Sequence, residues 1–228
     1  YGYGLDPTII LVLIGVALSL WAQGRVNSTF SRYSRVRSMT GMTGAEAARR
    51  LLNAQGIYDV TVQQIAGELT DHYDPRTKTV NLSQSVYGAT SVAAIGVAAH
   101  ECGHAMQDNE GYAPLRFRSA LVPVANFGSS LSWPLILLGL VFGGLGSPLV
   151  EIGILMFSLA VLFQLVTLPV EYNASARAVR LLDAQGILAG EEVNGTRKVL
   201  NDVAAAATSI LQLLRLIILF GGRNRRDR

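Results

Sequence analysis

The residues with the clearest chemical potential are His100, Glu101 and His104, which form the pattern His-Glu-x-x-His. On a helix, residues four apart lie on one face, with Cβ atoms about 5–6 Å apart. That spacing lets two imidazoles bind one zinc ion at about 2.0–2.1 Å. Glu101 lies beside this face, where it can accept a proton from a zinc-activated water without being a ligand. The motif therefore predicts a hydrolytic zinc site with Glu101 as the general base.

A hydrolytic zinc ion needs a third protein ligand and one open position. Cys102 is two residues from each histidine, so on a helix it points away from them and is interpreted as a packed thiol. His72 is one candidate ligand and Glu171 is another. Because Cys102 is also the only cysteine, no intramolecular disulfide is possible and no oxidising compartment is required.

Long apolar runs dominate the elements that must position these residues. Of the 228 residues, 50% are hydrophobic and only 15% are charged, whereas a typical soluble domain has about 25% charged residues. One apolar run covers residues 8–22, and residues 119–170 contain a single charge, that of Glu151. We therefore predict a transmembrane anchor over residues 5–23 and a transmembrane helical hairpin over residues 119–169.

The distribution of basic residues predicts the orientation of these spans. All 19 Lys and Arg residues lie within residues 25–118 or 177–228. Since cytoplasmic loops carry an excess of basic residues, we expect the N-terminus and the hairpin turn on the outer side of the membrane. The two parts of the metallopeptidase domain, residues 24–118 and 170–228, then face the cytoplasm. The chain would cross the membrane several times, with the lipid bilayer as a partner.

A further apolar run covers residues 203–220 and contains Arg215. A basic tail follows it, so spanning would export that tail against the rule for basic residues. We favour a helix that packs on the domain or lies at the membrane surface. A fourth span is the alternative.

The cytoplasmic part has the pattern of a small α+β domain. Helices are predicted over residues 44–54 and 91–107, and strands over residues 59–65 and 77–82, with a turn at residues 72–76. The predicted fold is thus a mainly α membrane protein, with transmembrane helices plus a small zincin-like cytosolic domain. If the second strand is an edge, an extended substrate could pair with it; an interior strand is the alternative.

The predicted hairpin bears on the choice of the third ligand. The chain leaves the motif helix, enters the membrane near Arg118 and returns near Val170. Because a helical hairpin closes on itself, Glu171 should return close to His104, and it is preferred over His72. The first-turn position of Glu171 has a second explanation, since acids are also favoured at helix N-termini.

Three ligands would define a mechanism for peptide hydrolysis. Zinc lowers the pKa of water and polarises the scissile carbonyl. Glu101 takes the water proton and passes it to the leaving amine. A further donor usually stabilises the oxyanion, and His72, Tyr172 and Arg177 are all candidates.

Several segments resemble the YugP-like bacterial membrane zinc metallopeptidases, and more distantly the HtpX-type membrane peptidases. The segments are residues 72–76, 81–83, 99–105 and 168–175. In HtpX-type enzymes, a membrane hairpin separates the His-Glu helix from a Glu-x-x-x-Asp helix, whose Glu is the third zinc ligand. The resemblance implies this gluzincin-like role for Glu171, with one zinc ion per chain. It also implies a plasma-membrane enzyme that works on the cytosolic side.

One position departs from the HtpX pattern. Ser175 stands where that pattern has the Asp. An Asp there would orient a ligating histidine from behind. A serine can form a hydrogen bond but brings no charge.

The leading hypothesis is a membrane-anchored zinc endopeptidase that acts on membrane or membrane-proximal proteins. An intramembrane protease is an alternative, because residues 79–99 carry no charge, although several polar residues interrupt them. A catalytically silent membrane scaffold is another, but a purely structural zinc site has no need of Glu101. A zinc endopeptidase implies a peptide or protein substrate. We expect no nucleic-acid partner, and the net charge of +3 is modest.

Overall fold

The computed structural model describes residues 7–67, 70–143 and 147–202. Two compact units make up the chain. Unit 1 consists of Tyr1–Ala22, Phe117–Leu168 and Ala206–Arg228, and unit 2 consists of Gln23–Arg116 and Pro169–Ala205. The predicted apolar helix over residues 203–220 lies outside the described residues.

Helices form most of the described chain. They are α1 (Pro7–Ser34), α2 (Gly44–Ala54), α3 (Gln84–Tyr87), α4 (Val92–Asn109), α5 (Ala113–Gly143) and α6 (Pro148–Ala184), and residues 191–202 are helical as well. The strands are β1 (Thr61–Ile65), β2 (His72–Asp74) and β3 (Thr79–Ser83).

The sheet of unit 2 has the strand order β1-β3-β2. Strand β3 pairs in parallel with β1 and antiparallel with β2, and all its residues are buried. Of the two alternatives for this second predicted strand, the structure therefore has the interior strand and not the edge. The segment predicted as a turn, residues 72–76, contains β2, and the turn begins only at Pro75. A three-residue strand is defined by pairing with its neighbour, which local turn residues such as Asp74-Pro75 conceal.

Helices α2 and α4 begin at the residues that local sequence signals indicate. The Thr43 side chain accepts a hydrogen bond from the Glu46 N–H, and the Glu46 carboxylate accepts one from the Thr43 N–H, which is a capping box. Ser91 caps α4 in a similar way, with its hydroxyl accepting from the Ala94 N–H. The helix that carries the His-Glu motif thus starts at a defined point.

Helix α4 runs through the core of unit 2, where it packs against α2 and the sheet. Its neighbours are fully buried aliphatic side chains, whose burial is the main favourable contribution to folding. The largest buried side chains of this core are Leu51, Leu52, Leu82, Leu182, Ile187 and Leu188, together with Ile95 of α4 itself. Cys102 lies in this core, with its thiol donating to the Ala48 carbonyl at 3.6 Å, and burial raises its pKa.

The prediction of transmembrane helices is wrong. Within residues 7–67, 70–143 and 147–202, no helix combines the length and the apolarity that crossing a bilayer requires. A run of apolar residues in the sequence was interpreted as a span, but no described helix is apolar enough over the roughly 20 residues that a span requires. Helix α5 carries Arg116 in its first turn and contains two prolines, and α6 carries Glu151 in its first turn.

A very close contact between α4 and α6 lies next to the motif residues. A Cβ atom added to Gly103 would lie 2.6 Å from the carbonyl oxygen of Ala174 and 3.0 Å from its Cα. Both are backbone atoms, so neither can move without moving α6. The glycine inside the motif therefore sets how closely the two helices approach.

We predict that Gly103→Ala destabilises the protein by about 1–3 kcal/mol, the usual cost of overpacking a core. The added methyl group must push α6 away from α4. Urea unfolding of the full-length chain measures this loss. Gly88→Ala is the matched control, because Gly88 has a φ of −97° and no atom within 4 Å of an added Cβ. Equal stability of the two variants would contradict the prediction.

Candidate metal centre

Three potential ligands converge in unit 2, two from α4 and one from α6. The Nε2 atoms of His100 and His104 lie 3.0 and 3.4 Å from the Oε2 atom of Glu171. The ligand atoms of the three residues all lie within 4.8 Å of one another. Tetrahedral zinc with ligands at about 2.0–2.1 Å separates its ligand atoms by about 3.3 Å. The donor set and its spacing therefore fit zinc, with a fourth position left for water.

The environment of the three side chains favours an anionic Glu171 beside the two imidazoles. The side chains of His100, His104 and Glu171 are only 13%, 7% and 24% exposed. Burial by itself raises the pKa of Glu171, but hydrogen bonds with the two histidines outweigh it and hold this pKa well below its usual value. The carboxylate is thus ionised at neutral pH, as a metal ligand must be.

The outer nitrogen of the His100 ring contacts Ser175. The Ser175 hydroxyl lies 3.1 Å from His100 Nδ1, so the serine occupies the position behind a ligand that the HtpX pattern gives to an acid. Ser175 lies four residues after Glu171, one turn further along α6. Helix α6 therefore supplies both a candidate ligand, Glu171, and a hydrogen-bond partner for a second candidate ligand, His100.

The outer nitrogen of the His104 ring contacts Gln107, a residue that the sequence analysis missed. Gln107 Oε1 lies 3.0 Å from His104 Nδ1. The Gln107 amide donates to the Val170 carbonyl at 3.0 Å and to Asn173 Oδ1 at 2.9 Å. Gln107 is completely buried. Its position one turn after His104, on the same face of α4, is the signal that could have indicated it.

Glu101 is held by the backbone of β2. It is only 8% exposed, and its Oε2 atom accepts a hydrogen bond of 2.9 Å from the Tyr73 N–H. The Tyr73 hydroxyl donates to Asp108 at 2.8 Å, and Lys78 donates to the same carboxylate oxygen at 2.9 Å. Burial and the bond to Asp108 raise the pKa of Tyr73. We call Tyr73, Lys78 and Asp108 the Tyr73 clasp, because they fasten β2 to the motif helix.

The three candidate oxyanion donors are placed differently. The His72 ring contacts the Thr70 carbonyl at 2.8 Å and the Asn81 amide at 3.2 Å, so both its nitrogens are used and it is not part of the ligand cluster. Tyr172 is exposed and follows Glu171 directly on α6.

The Arg177 guanidinium, the third candidate donor, is already engaged at two of its nitrogens. It donates to Asn173 Oδ1 at 2.7 Å and to Glu110 at 2.6 Å. The ion pair with Glu110 raises the pKa of Arg177 and lowers that of Glu110. Arg177 therefore connects the end of α4 to α6.

The chain is similar to proteins of one family over nearly its full length. Residues 8–221 match the family described as "putative neutral zinc metallopeptidase". A protein of Bacillus subtilis (strain 168), named "putative membrane protease YugP", is 46% identical over 217 residues, which cover 93% of this chain and 96% of that protein. No solved structure shows significant similarity. The resemblance to YugP-like proteins inferred from the motifs is thus confirmed, and the chain belongs to this family of zinc metallopeptidases.

Proposed function

We propose that this chain is a zinc-dependent endopeptidase in which His100, His104 and Glu171 hold one zinc ion and Glu101 is the general base. The observation that carries the proposal is the convergence of the three ligand atoms within 4.8 Å of one another. Ligands from two helices meet there, next to a buried carboxylate that is not itself one of them. A closed structural site would use a fourth protein ligand instead.

The chemistry divides between the metal and the side chains. Bound zinc supplies Lewis acidity that polarises water and the scissile carbonyl. Glu101 accepts the proton that water loses and later delivers it to the leaving amine. The Tyr73 N–H occupies one carboxylate oxygen of Glu101, which fixes the rotation of the carboxylate and leaves the other oxygen for the proton. The base is thereby oriented before substrate binds.

Membrane or membrane-proximal proteins are the proposed substrates, and the lipid bilayer is a proposed partner. The support is the name of the Bacillus relative, which describes a membrane protease. Flotation of the full-length chain with lipid vesicles tests the association. Recovery of all the protein in the unbound fraction would contradict this part of the proposal and leave the zinc chemistry unaffected.

We predict that Glu101→Gln retains zinc but loses proteolysis by about 100- to 10,000-fold, the usual contribution of general acid–base catalysis. Glu171→Ala should lose both zinc and proteolysis, since two histidines alone hold zinc weakly. Metal content and casein cleavage measure the two effects. Glu191→Gln, which changes an exposed Glu in the same unit, is the matched control and should resemble the wild type. Full activity of Glu101→Gln would refute the proposed base.

We predict that Tyr73→Phe lowers kcat several-fold with zinc content unchanged. Loss of the bond from the hydroxyl to Asp108 loosens β2, and with it the N–H that orients Glu101. The cost in stability should be about 1 kcal/mol, as for a typical hydrogen bond. Tyr58→Phe is the control, because Tyr58 is 78% exposed and lies outside the clasp. Equal kcat values for the two variants would contradict a positioning role for Tyr73.

A further inference from the structure

We propose that Arg177, Asn173 and Gln107 form a directional hydrogen-bond relay that determines which nitrogen of His104 faces the metal. The proposal rests on the proposed zinc function and deepens it. It assigns three positioning residues that lie behind a ligand and outside the ligand cluster. Each bond in the relay has only one possible direction, because its first member can only donate.

The direction of the relay is set at Arg177. A guanidinium has donors and no acceptor. Its Nε–H lies 2.7 Å from the Asn173 side chain, so the Asn173 atom at this contact must be the amide oxygen. The ion pair between Arg177 and Glu110 at 2.6 Å keeps the guanidinium in place, and α6 supplies both Arg177 and Asn173.

The orientation of the Asn173 amide in turn determines the orientation of the Gln107 amide. Because the oxygen of Asn173 faces Gln107 at 2.9 Å, the Gln107 atom at this contact must be the NH2 group. The Val170 carbonyl, which can only accept, lies 3.0 Å from the same nitrogen. Two acceptors on α6 therefore fix the Gln107 amide, and Gln107 is completely buried. Rotating the amide would place its oxygen against two other oxygens.

The relay ends at the imidazole of His104. With its NH2 group committed to α6, Gln107 offers only its oxygen to His104 Nδ1 at 3.0 Å. That nitrogen must carry the proton. The lone pair of the neutral ring is then on Nε2, which faces the cluster. The contact of Nε2 with Glu171 Oε2 at 3.4 Å is a hydrogen bond only when the ring is protonated on both nitrogens, and a metal ion bound by both atoms would replace that bond. His104 is thus held as the tautomer that binds metal through the nitrogen facing the cluster.

His100 lacks such a relay. Its Nδ1 faces the Ser175 hydroxyl at 3.1 Å, and a hydroxyl can either donate or accept. The tautomer of His100 is therefore not dictated from behind. Of the two candidate histidine ligands, only His104 has its tautomer fixed by the described hydrogen bonds.

Two substitutions of nearly equal size at Asn173 test the relay. Asn173→Asp keeps an acceptor oxygen for both Arg177 and Gln107, so zinc affinity should stay within about threefold of the wild type. Asn173→Leu removes the acceptor, and zinc affinity should fall by about 10- to 100-fold, the usual effect of losing an outer partner of a metal ligand. Competition with a zinc chelator, using the zinc-loaded full-length protein, gives both values. Equal affinities for the two variants would overturn the proposal.

A second pair of variants separates the donor role of Arg177 from its ion pair. Arg177→Met removes the donor to Asn173, and zinc affinity should fall by about tenfold. Glu110→Gln removes only the negative charge of the ion pair at the protein surface, and zinc affinity should stay within about threefold. Equal losses in the two variants would assign the effect to the ion pair and overturn the relay. This pair decides the matter even if Asn173→Leu does not fold.

A nitrogen NMR spectrum of the imidazole rings in the zinc-loaded wild type tests the tautomer of His104 directly. His104 should bind zinc through Nε2 and carry a proton on Nδ1; zinc on Nδ1 would overturn the relay. A wild-type chain that binds no zinc would instead refute the proposed function, on which the relay depends. If the wild type binds zinc but the two variants of each pair have equal zinc affinities, the relay is refuted and the proposed function is not.

Discussion

The close contact of α4 with α6 at Gly103 and Ala174 is the constraint on which the metal centre depends. No side chain separates the helices at this point, so the carboxylate of Glu171 can reach both imidazoles of α4. Burying a carboxylate costs free energy unless polar partners replace its hydration. His100 and His104 are those partners here, and they keep Glu171 ionised. Backbone packing and ligand electrostatics thus depend on the same contact.

The motif helix is held from two sides, and each side serves a different part of the chemistry. Helix α6 contacts the two histidines through its own Glu171 and Ser175, and it holds Gln107 of α4, which contacts His104. It therefore governs metal binding. Strand β2 contacts Glu101 through the Tyr73 N–H, so it governs proton transfer. Small displacements of a reacting group reduce rates sharply. Disturbance on the α6 side should therefore show mainly in zinc affinity, and disturbance on the β2 side mainly in turnover.

Local signals in the sequence predicted part of this arrangement. The His-Glu-x-x-His spacing, the Thr43 cap and the strands around residues 61–65 and 79–83 are local patterns, and the structure contains them. One non-local feature was also predicted, because the return of the chain after residues 119–169 placed Glu171 near His104. Other features that local patterns do not encode were missed. The Tyr73 N–H has no side-chain signature, and β2 exists only through its pairing with β3. Gln107 matters because of groups more than 60 residues away. Apolar composition, finally, was mistaken for spans.

The serine at position 175 has a consequence for the charge of the centre. A carboxylate behind a ligating histidine raises the basicity of that ligand, and Ser175 brings no charge to His100. Behind His104, the relay begins at a cation, but Glu110 neutralises Arg177 and the amides of Asn173 and Gln107 lie in between. Glu171 is therefore the one anionic group among the three candidate ligands and their described outer partners. Two neutral imidazoles and a single carboxylate would leave a bound divalent ion with a net positive charge, which favours the polarisation of water.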